Sequence, residues 1–364
     1  MGGAPRWTAE AEGIDAAPAR AGGPGRRAVV HIGLDKTGSS TIQVWLKRNA
    51  RRLRRQGIHA DLLDDRPLPA LDMVQGFAMY GLAADSAWKP SRRHARRFAI
   101  RGRRDLEARL DDMMARAEAS LPPPGPGTWI ASSEHLGVHL TTAAAVRRQH
   151  GWLQERFDRV DYLCYIRDQV PWVASAYAQA LKVGSPATLD DFIARRGLND
   201  YHALARRWTE VVGEGCFHLR VFDDVVRRGD LLADFADAIG ADPAGLSPQE
   251  PRNQSTSARR LRAMRLRNAL QRGLKRRGLH GWAARLDRDV PLLDGWLDGG
   301  PKLRLSPAQA ERVREMNRAS NEALRLWLFP DRADLFGSPA PRPDIAPAPA
   351  HDDPIRTRLH VHPR

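Results

Sequence analysis

Lysine is scarce in this chain. Of 58 basic residues only six are lysines (Lys36, Lys47, Lys89, Lys182, Lys275 and Lys302), against 43 acids and a formal net charge of +15. A basic surface attracts polyanions of any kind. An arginine skew in a sequence rich in Ala, Gly and Pro is also what coding bias produces. No zinc-finger spacing or RNP-type aromatic strand accompanies it, so nucleic acid is not an expected partner. Arg51-Arg52-Leu53-Arg54-Arg55 and Arg259-Arg260-Leu261-Arg262 carry leucines at helical spacing, which predicts arginines on solvated faces. Cysteine is scarcer still. Cys164, in mid-strand, and Cys216 form neither a disulfide framework nor a metal-ligand pattern, and Cys164 reads as a small core residue. A reducing cytoplasm is the default compartment for such a chain. No stretch approaches the roughly 18 apolar residues of a membrane-spanning helix. Residues 1–27 lack the apolar run of a secretory signal and the Ser or Thr of a myristoylation site. At 42% the apolar content is low for a globular chain of 364 residues. Tails at 1–27 and 337–364, rich in Pro and Arg without apolar periodicity, account for it and predict one domain over 28–336.

What is present is concentrated in one segment, His31-Ile32-Gly33-Leu34-Asp35-Lys36-Thr37-Gly38-Ser39-Ser40-Thr41. It follows a short apolar strand, Ala28-Val29-Val30, and enters a helix whose Ile42, Trp45, Leu46 and Leu53 recur at helical spacing. A strand, a turn rich in small hydroxyl residues and a helix make a phosphate cradle. The first helical turn leaves N–H groups without partners, and they point at whatever anion sits there. The segment is not a Walker A loop: with Gly33 and Gly38 as its glycines, the lysine belongs at position 39, where Ser39 stands. Lys36 precedes the second glycine instead, which argues against ordinary ATP hydrolysis.

Lys36-Thr37-Gly38-Ser39-Ser40 resembles the 5′-phosphosulfate loop of sulfotransferases, which use 3′-phosphoadenosine 5′-phosphosulfate (PAPS). The wider stretch from His31 to Gln43 is similar to the opening motif of a bacterial sulfotransferase group. A second motif lies downstream. Val160 to Ile166 reads as a buried strand ending in Arg167-Asp168, and Pro171 is expected at the first position of the next helix, which carries Ser175. Arg167 and Ser175 have the spacing of the family's 3′-phosphate site. A guanidinium fork holds a phosphate through two hydrogen bonds while a hydroxyl donates a third. The alternative is an arginine paired with an acid such as Asp168 and a serine facing solvent.

Between these motifs Thr128-Trp129-Ile130-Ala131-Ser132-Ser133-Glu134-His135 reads as a strand ending in a polar cluster. Open α/β sheets bind ligands beyond the carboxyl ends of their strands, which puts Glu134 and His135 on the expected side. The resemblance implies a general base there; Glu134 is the first choice and His135 the second, and spacing does not separate them. Glu134 could instead cap a helix near Thr141 or pair with an arginine.

Cys216 to Phe222 reads as a further strand, followed by a helix through Leu231, Leu232, Phe235 and Ile239. This alternation predicts an α/β fold of P-loop type, a three-layer sandwich with a central parallel sheet, helices on both faces and a helical C-terminal part. Asn253-Gln254-Ser255 resembles a segment found late in related bacterial enzymes. The family's Arg-Lys-Gly turn on the 3′-phosphate is absent; Arg252, Arg259 and Arg260 are candidates to replace it. Helices between 257 and 328, with Trp282, Leu292, Leu293 and Trp296, are expected to cover the cleft and shape an acceptor pocket.

The resemblance thus implies a PAPS-dependent sulfotransferase acting on a hydroxyl or amine of a carbohydrate, lipid or small molecule. Lys36, Thr37, Gly38, Ser39, Ser40, Thr41, Arg167 and Ser175 would bind PAPS. The amides of Thr37 to Thr41 and the Ser39 and Ser40 hydroxyls would hold the 5′-phosphate. Lys36, with Glu134 or His135, would serve the chemistry, and no metal is required. Two other readings are a P-loop nucleotide kinase or NTPase, needing Mg²⁺ and a strand-terminal acid for which only Asp168 offers itself, and a nucleotide binder of the same fold without turnover. Oligomeric state is not legible.

Overall fold

Val29 stands opposite Ile130 on one side and Asp161 on the other, and all three belong to one parallel sheet. In this computed structural model the described residues are 25–337, apart from 61–76, 92–94, 97–98, 120, 123, 249–255, 287–296 and 298–299. The expected tails lie almost wholly outside the described residues, as do Arg252, Asn253-Gln254-Ser255, Leu292, Leu293 and Trp296.

The sheet is built from β1 (Arg26–His31), β2 (Ile58–His59), β3 (Gly127–Ser132), β4 (Arg159–Ile166) and β5 (Phe217–Val221), in the order β2-β3-β1-β4-β5. Between them run α1 (Ser39–Arg55), α2 (Arg103–Ala119), α3 (Glu134–His139), α4 (Ala143–Gln154), α5 (Gln169–Lys182), α6 (Leu189–Arg196) and α7 (Tyr201–Val212). After β5 come α8 (Phe222–Arg227), α9 (Leu231–Ile239), α10 (Ala258–Arg276), α11 (His280–Arg285) and α12 (Pro307–Leu328). Every strand pairing is parallel.

Alternation along the strands divides the core. Ala28, Val30, Trp129, Ala131, Tyr162 and Cys164 face one layer, where α4 and α7 contribute Val146, Trp152, Leu204 and Trp208. Val29, Ile130, Leu163 and Tyr165 face the other, filled by Ile42, Trp45 and Leu46 of α1 and by Leu232, Phe235 and Ile239 of α9. The architecture is the expected three-layer α/β sandwich. Cys164 is fully buried as expected, and burial pushes its thiol up. The arginines flanking Leu53 are exposed while Leu53 is buried, so that run is a solvated face.

Helix ends follow their capping residues. Thr142 accepts from the Ala145 amide to open α4, and Ser306 with Gln309 forms a capping box ahead of Pro307 on α12. The C-terminal helices dock through buried amides. Asn317 of α12 donates to Gly197 O at 2.7 Å and accepts from the Asn199 amide at 2.8 Å. Asn268 of α10 donates to Leu181 O at 2.7 Å and Ser185 O at 2.9 Å, at the end of α5. These helices therefore pack along α5, α6 and α7. Of the residues expected to cover a cleft, Trp282 is exposed on α11 and the other three lie outside the described residues.

At the amino-terminal end of the sheet, Asp161 is buried and held by Arg27 Nε at 2.7 Å, Arg159 Nη2 at 2.9 Å and His218 Nε2 at 3.1 Å. Burial alone would push this carboxyl up. Hydrogen bonds from His218, Arg159 and Arg27 overcome it and hold the group well below the usual carboxylate range.

Candidate active site

The chain leaves β1 through α1 toward β2 on one side, and leaves β4 toward β5 on the other. The order of connection therefore reverses between β1 and β4, the point beyond whose carboxyl ends open α/β sheets form their ligand crevice. Main-chain bonds carry the two strands into it: Ile32 N to Leu163 O at 2.9 Å, Tyr165 N to Gly33 O at 2.9 Å and Leu34 N to Tyr165 O at 3.3 Å.

The loop from Leu34 to Ser39 then turns tightly on itself. Thr37 Oγ1 donates to Leu34 O at 2.6 Å and Ser39 Oγ to the same oxygen at 2.8 Å, both hydroxyls buried. Lys36 at φ 66° and Gly38 at φ 85° supply the left-handed conformations. At Gly38 a Cβ would also meet the end of the Leu231 side chain, where α9 packs against the loop. The amides of residues 36–40 make no hydrogen bond of ordinary length and angle among the described residues, and α1 begins at Ser39. Five N–H groups thus gather at the positive end of a 17-residue helix.

Three details differ from the sequence reading. The Ser39 hydroxyl donates inward to shape the loop, which leaves Ser40 as the exposed hydroxyl. The Thr41 amide already donates to Gly38 O at 2.9 Å, so the open amides start one residue earlier and end one earlier than expected. The first helical residue after β4 is Gln169, with Asp168 as cap, which moves Pro171 to the third position, where a missing N–H still costs no hydrogen bond.

Arg167 reaches across the crevice. Its Nη1 donates to Lys36 O at 3.1 Å, its Nε lies 3.6 Å from Asp223 Oδ1, and its guanidinium sits 5.2 Å from the Phe222 ring centre. The acid beside Arg167 is therefore Asp223. Asp168 instead accepts from the Val170 amide at 2.8 Å and caps α5; burial pushes its carboxyl up. Tyr201 Oη fixes the strand end by donating to Arg167 O at 2.9 Å. Ser175 is half-buried on α5, with no hydrogen bond among the described residues.

Glu134 opens α3 rather than ending a strand. The helix near Thr141 is capped by Thr142, so Glu134 has no part in that cap. Gln43 of α1 donates to Glu134 Oε2 at 2.9 Å and to Ser132 O at 3.2 Å, tying the carboxylate to the end of β3. Gly33, at φ 98°, lets this happen: a Cβ there would come within 2.6 Å of Glu134 Cα. His135 and His139, one turn apart, stack with ring centres 5.4 Å apart and planes 9° from parallel. Asp35 joins the group. Burial first, then the charge of Glu134, raises its carboxyl, while Lys36, His135 and His139 pull it down. Its main-chain oxygen accepts from Trp172 Nε1 at 2.9 Å.

Sequence reasoning missed Asp35, His139 and the role of Gln43. Asp35 and Gln43 lay inside the loop motif without an assigned function, and the i, i+4 pair His135–His139 was the available signal for the third. Among the described residues no group of three or more His, Cys, Asp or Glu is arranged to hold a metal.

No family model and no curated protein sequence matches this chain. Similar solved structures do exist. A sulfotransferase from Alicyclobacillus acidocaldarius is 12% identical with a TM-score of 0.38, over 73% of this chain and 98% of that one. The sulfotransferase domain from the curacin biosynthetic pathway is 12% identical with a TM-score of 0.31, over 81% and 98%. A retinol dehydratase in complex with androsterone and the inactive cofactor PAP is 12% identical with a TM-score of 0.28, over 82% and 79%. Two of these three structures are named as sulfotransferases. At these scores a functional reading has to stand on the residues of the crevice.

Proposed function

We propose that this chain is a sulfotransferase that takes a sulfuryl group from PAPS and places it on a hydroxyl or amine of a carbohydrate, lipid or small-molecule acceptor. The observation that carries this reading is the crevice between β1 and β4, where the unbonded amides of residues 36–40 and the Arg167 guanidinium converge on one loop. A helix N-terminus with open amides, a lysine in the turn and an arginine from the neighbouring strand suit a ligand with anionic groups at two ends. When bound, PAPS supplies an activated sulfuryl group, whose sulfur bonds to the acceptor as its bond to the phosphate oxygen breaks.

The chain's own residues would then act by position and charge. The amides and the Ser40 hydroxyl hold the 5′-phosphate; Lys36 offsets negative charge growing on the oxygen that is left behind. Arg167, with Ser175, holds the 3′-phosphate. Glu134, oriented by Gln43, accepts the proton of the attacking hydroxyl, with His135 as the other candidate beside it. The kinase reading is weakened by Asp168, whose side chain caps α5.

Isothermal titration with 3′-phosphoadenosine 5′-phosphate (PAP) and, separately, with ATP and Mg²⁺ tests the nucleotide. Tight PAP binding with weak ATP binding is expected, and the reverse preference would establish the kinase. Labelled PAPS offered with acceptors of several classes then tests turnover. Binding of PAP without transfer to any acceptor would leave a nucleotide binder and overturn the enzymatic reading.

A further inference from the structure

Away from the crevice, Ser257 to Leu286 holds ten arginines and lysines and no acid. Helix α10 occupies most of it, and its docking fixes which side faces out. Leu261, Asn268 and Gln271 are buried, with Leu261 against Tyr177 and Leu181 of α5. At about 100° per residue, Leu266 and Leu270 lie on the opposite side of the helix from Leu261 and Asn268. They are 61% and 54% exposed, one turn apart. The turn into α11 adds Leu279 and Trp282, 42% and 61% exposed, with the Arg285 guanidinium 5.0 Å from the Trp282 ring centre. Arg262, Arg272, Arg276 and Arg277 are exposed on the same helix and its end, and at the same angular step Arg262 and Arg277 lie on the side of Leu266 and Leu270. None of the four forms an ion pair with a described acid.

We propose that the α10–α11 corner is a docking surface for an anionic phospholipid bilayer, on which the protein sits peripherally. The arginines alone would suit any polyanion, but phosphate backbones give no reason to expose three leucines and a tryptophan. A bilayer interface takes both: cations meet the acidic headgroups, while Leu and Trp enter the acyl boundary. No described helix is long and apolar enough to cross a membrane, so attachment here would be reversible.

The test is flotation of the full chain with vesicles of phosphatidylglycerol and phosphatidylcholine against vesicles of phosphatidylcholine alone. Binding is expected to the anionic vesicles only and to weaken as salt rises. Replacing Arg262 and Arg277 together by Glu should lower partitioning on the order of a hundredfold. Leu266→Ser with Leu270→Ser, and separately Trp282→Ser, should each lower it about tenfold while the melting temperature holds. Failure to float with anionic vesicles overturns the proposal. So does binding that falls with the arginines but ignores Leu266, Leu270 and Trp282, because that is charge adsorption. Binding to duplex DNA that depends on the same leucines would assign the surface to nucleic acid instead.

Discussion

The two ends of the parallel sheet each carry a carboxylate drawn out of water, and their surroundings treat them oppositely. At the amino-terminal end Asp161 has Arg27, Arg159 and His218 on its oxygens, and its carboxyl is held low. At the carboxyl-terminal end Asp35 is half-buried beside Glu134, and its carboxyl is raised. The polar groups around Asp161 are matched to one another. Beside Asp35 stand a second carboxylate, a lysine and the open amides of the loop. One end is arranged to be stable as it stands, the other to receive something. Perturbed groups gather where a ligand completes the set.

That contrast fails if the upper end can be changed without loss of function, or the lower end with it. The largest effect belongs to Glu134. Glu134→Gln keeps the bond from Gln43 within reach but cannot take a proton, so turnover should fall roughly 10²–10⁴-fold with PAP affinity unchanged. His135→Asn is the matched control, and a dead His135→Asn beside an active Glu134→Gln reverses the two roles. Next is Asp161→Asn, which removes charge-assisted bonds from a buried site and should cost about 2–3 kcal/mol of stability by denaturant titration, with PAP binding intact. The sign with pH follows from the lowered carboxyl. The folded state keeps Asp161 ionised where the unfolded chain has begun to protonate, so its stabilisation is complete above about pH 5 and is lost as pH falls below the usual carboxylate range. The asparagine variant should lose that part of the acid dependence.

Smaller, and confined to the upper end, is Arg167→Ala. It should weaken PAP by about 1.5–3 kcal/mol, on the order of tenfold to a hundredfold, while barely affecting the analogue without a 3′-phosphate. Equal losses would place Arg167 in loop support through Lys36 O rather than in recognition. The smallest effect sharpens the contrast most. Asp35 has a raised carboxyl, so the unfolded chain releases its proton first and the folded state loses stability as pH rises through the carboxylate range. Asp35→Asn should therefore match or slightly exceed the parent in stability at neutral pH, by less than about 1 kcal/mol, whereas Asp161→Asn falls below it. A clear loss of stability in Asp35→Asn would show that both carboxylates serve the fold.

What the sequence disclosed about this site was local. The loop and its lysine, the strand end carrying Arg167, and the apolar faces of α1 and α9 all follow from spacing within about ten residues. Strand β2, with two residues, was too short to show a period. The six-residue α3 hid behind the polar end of β3. Contacts that join distant segments left no periodic trace: Gln43 to Glu134 spans 91 residues, Trp172 to Asp35 spans 137, and Arg167 meets Asp223 only once β5 lies beside β4. The inward turn of Ser39 was likewise invisible, because either hydroxyl of Ser39-Ser40 could have pointed at a ligand.

The central place of β1 has a cost during synthesis. Its Ala28-Val29-Val30 core is made first, yet its partners are Gly127–Ser132 and Arg159–Ile166. At about 5–20 residues per second the ribosome leaves this apolar strand with both edges open for roughly 5–20 s before the first neighbour exists. Nascent chains crowded on one message would carry the same unpaired strand together, and strand edges are templates for one another. The strand that leads into the loop from Leu34 to Ser39 is thus also the stretch most in need of a chaperone, and mutations that slow pairing of β1 should reduce soluble yield before they alter the finished protein.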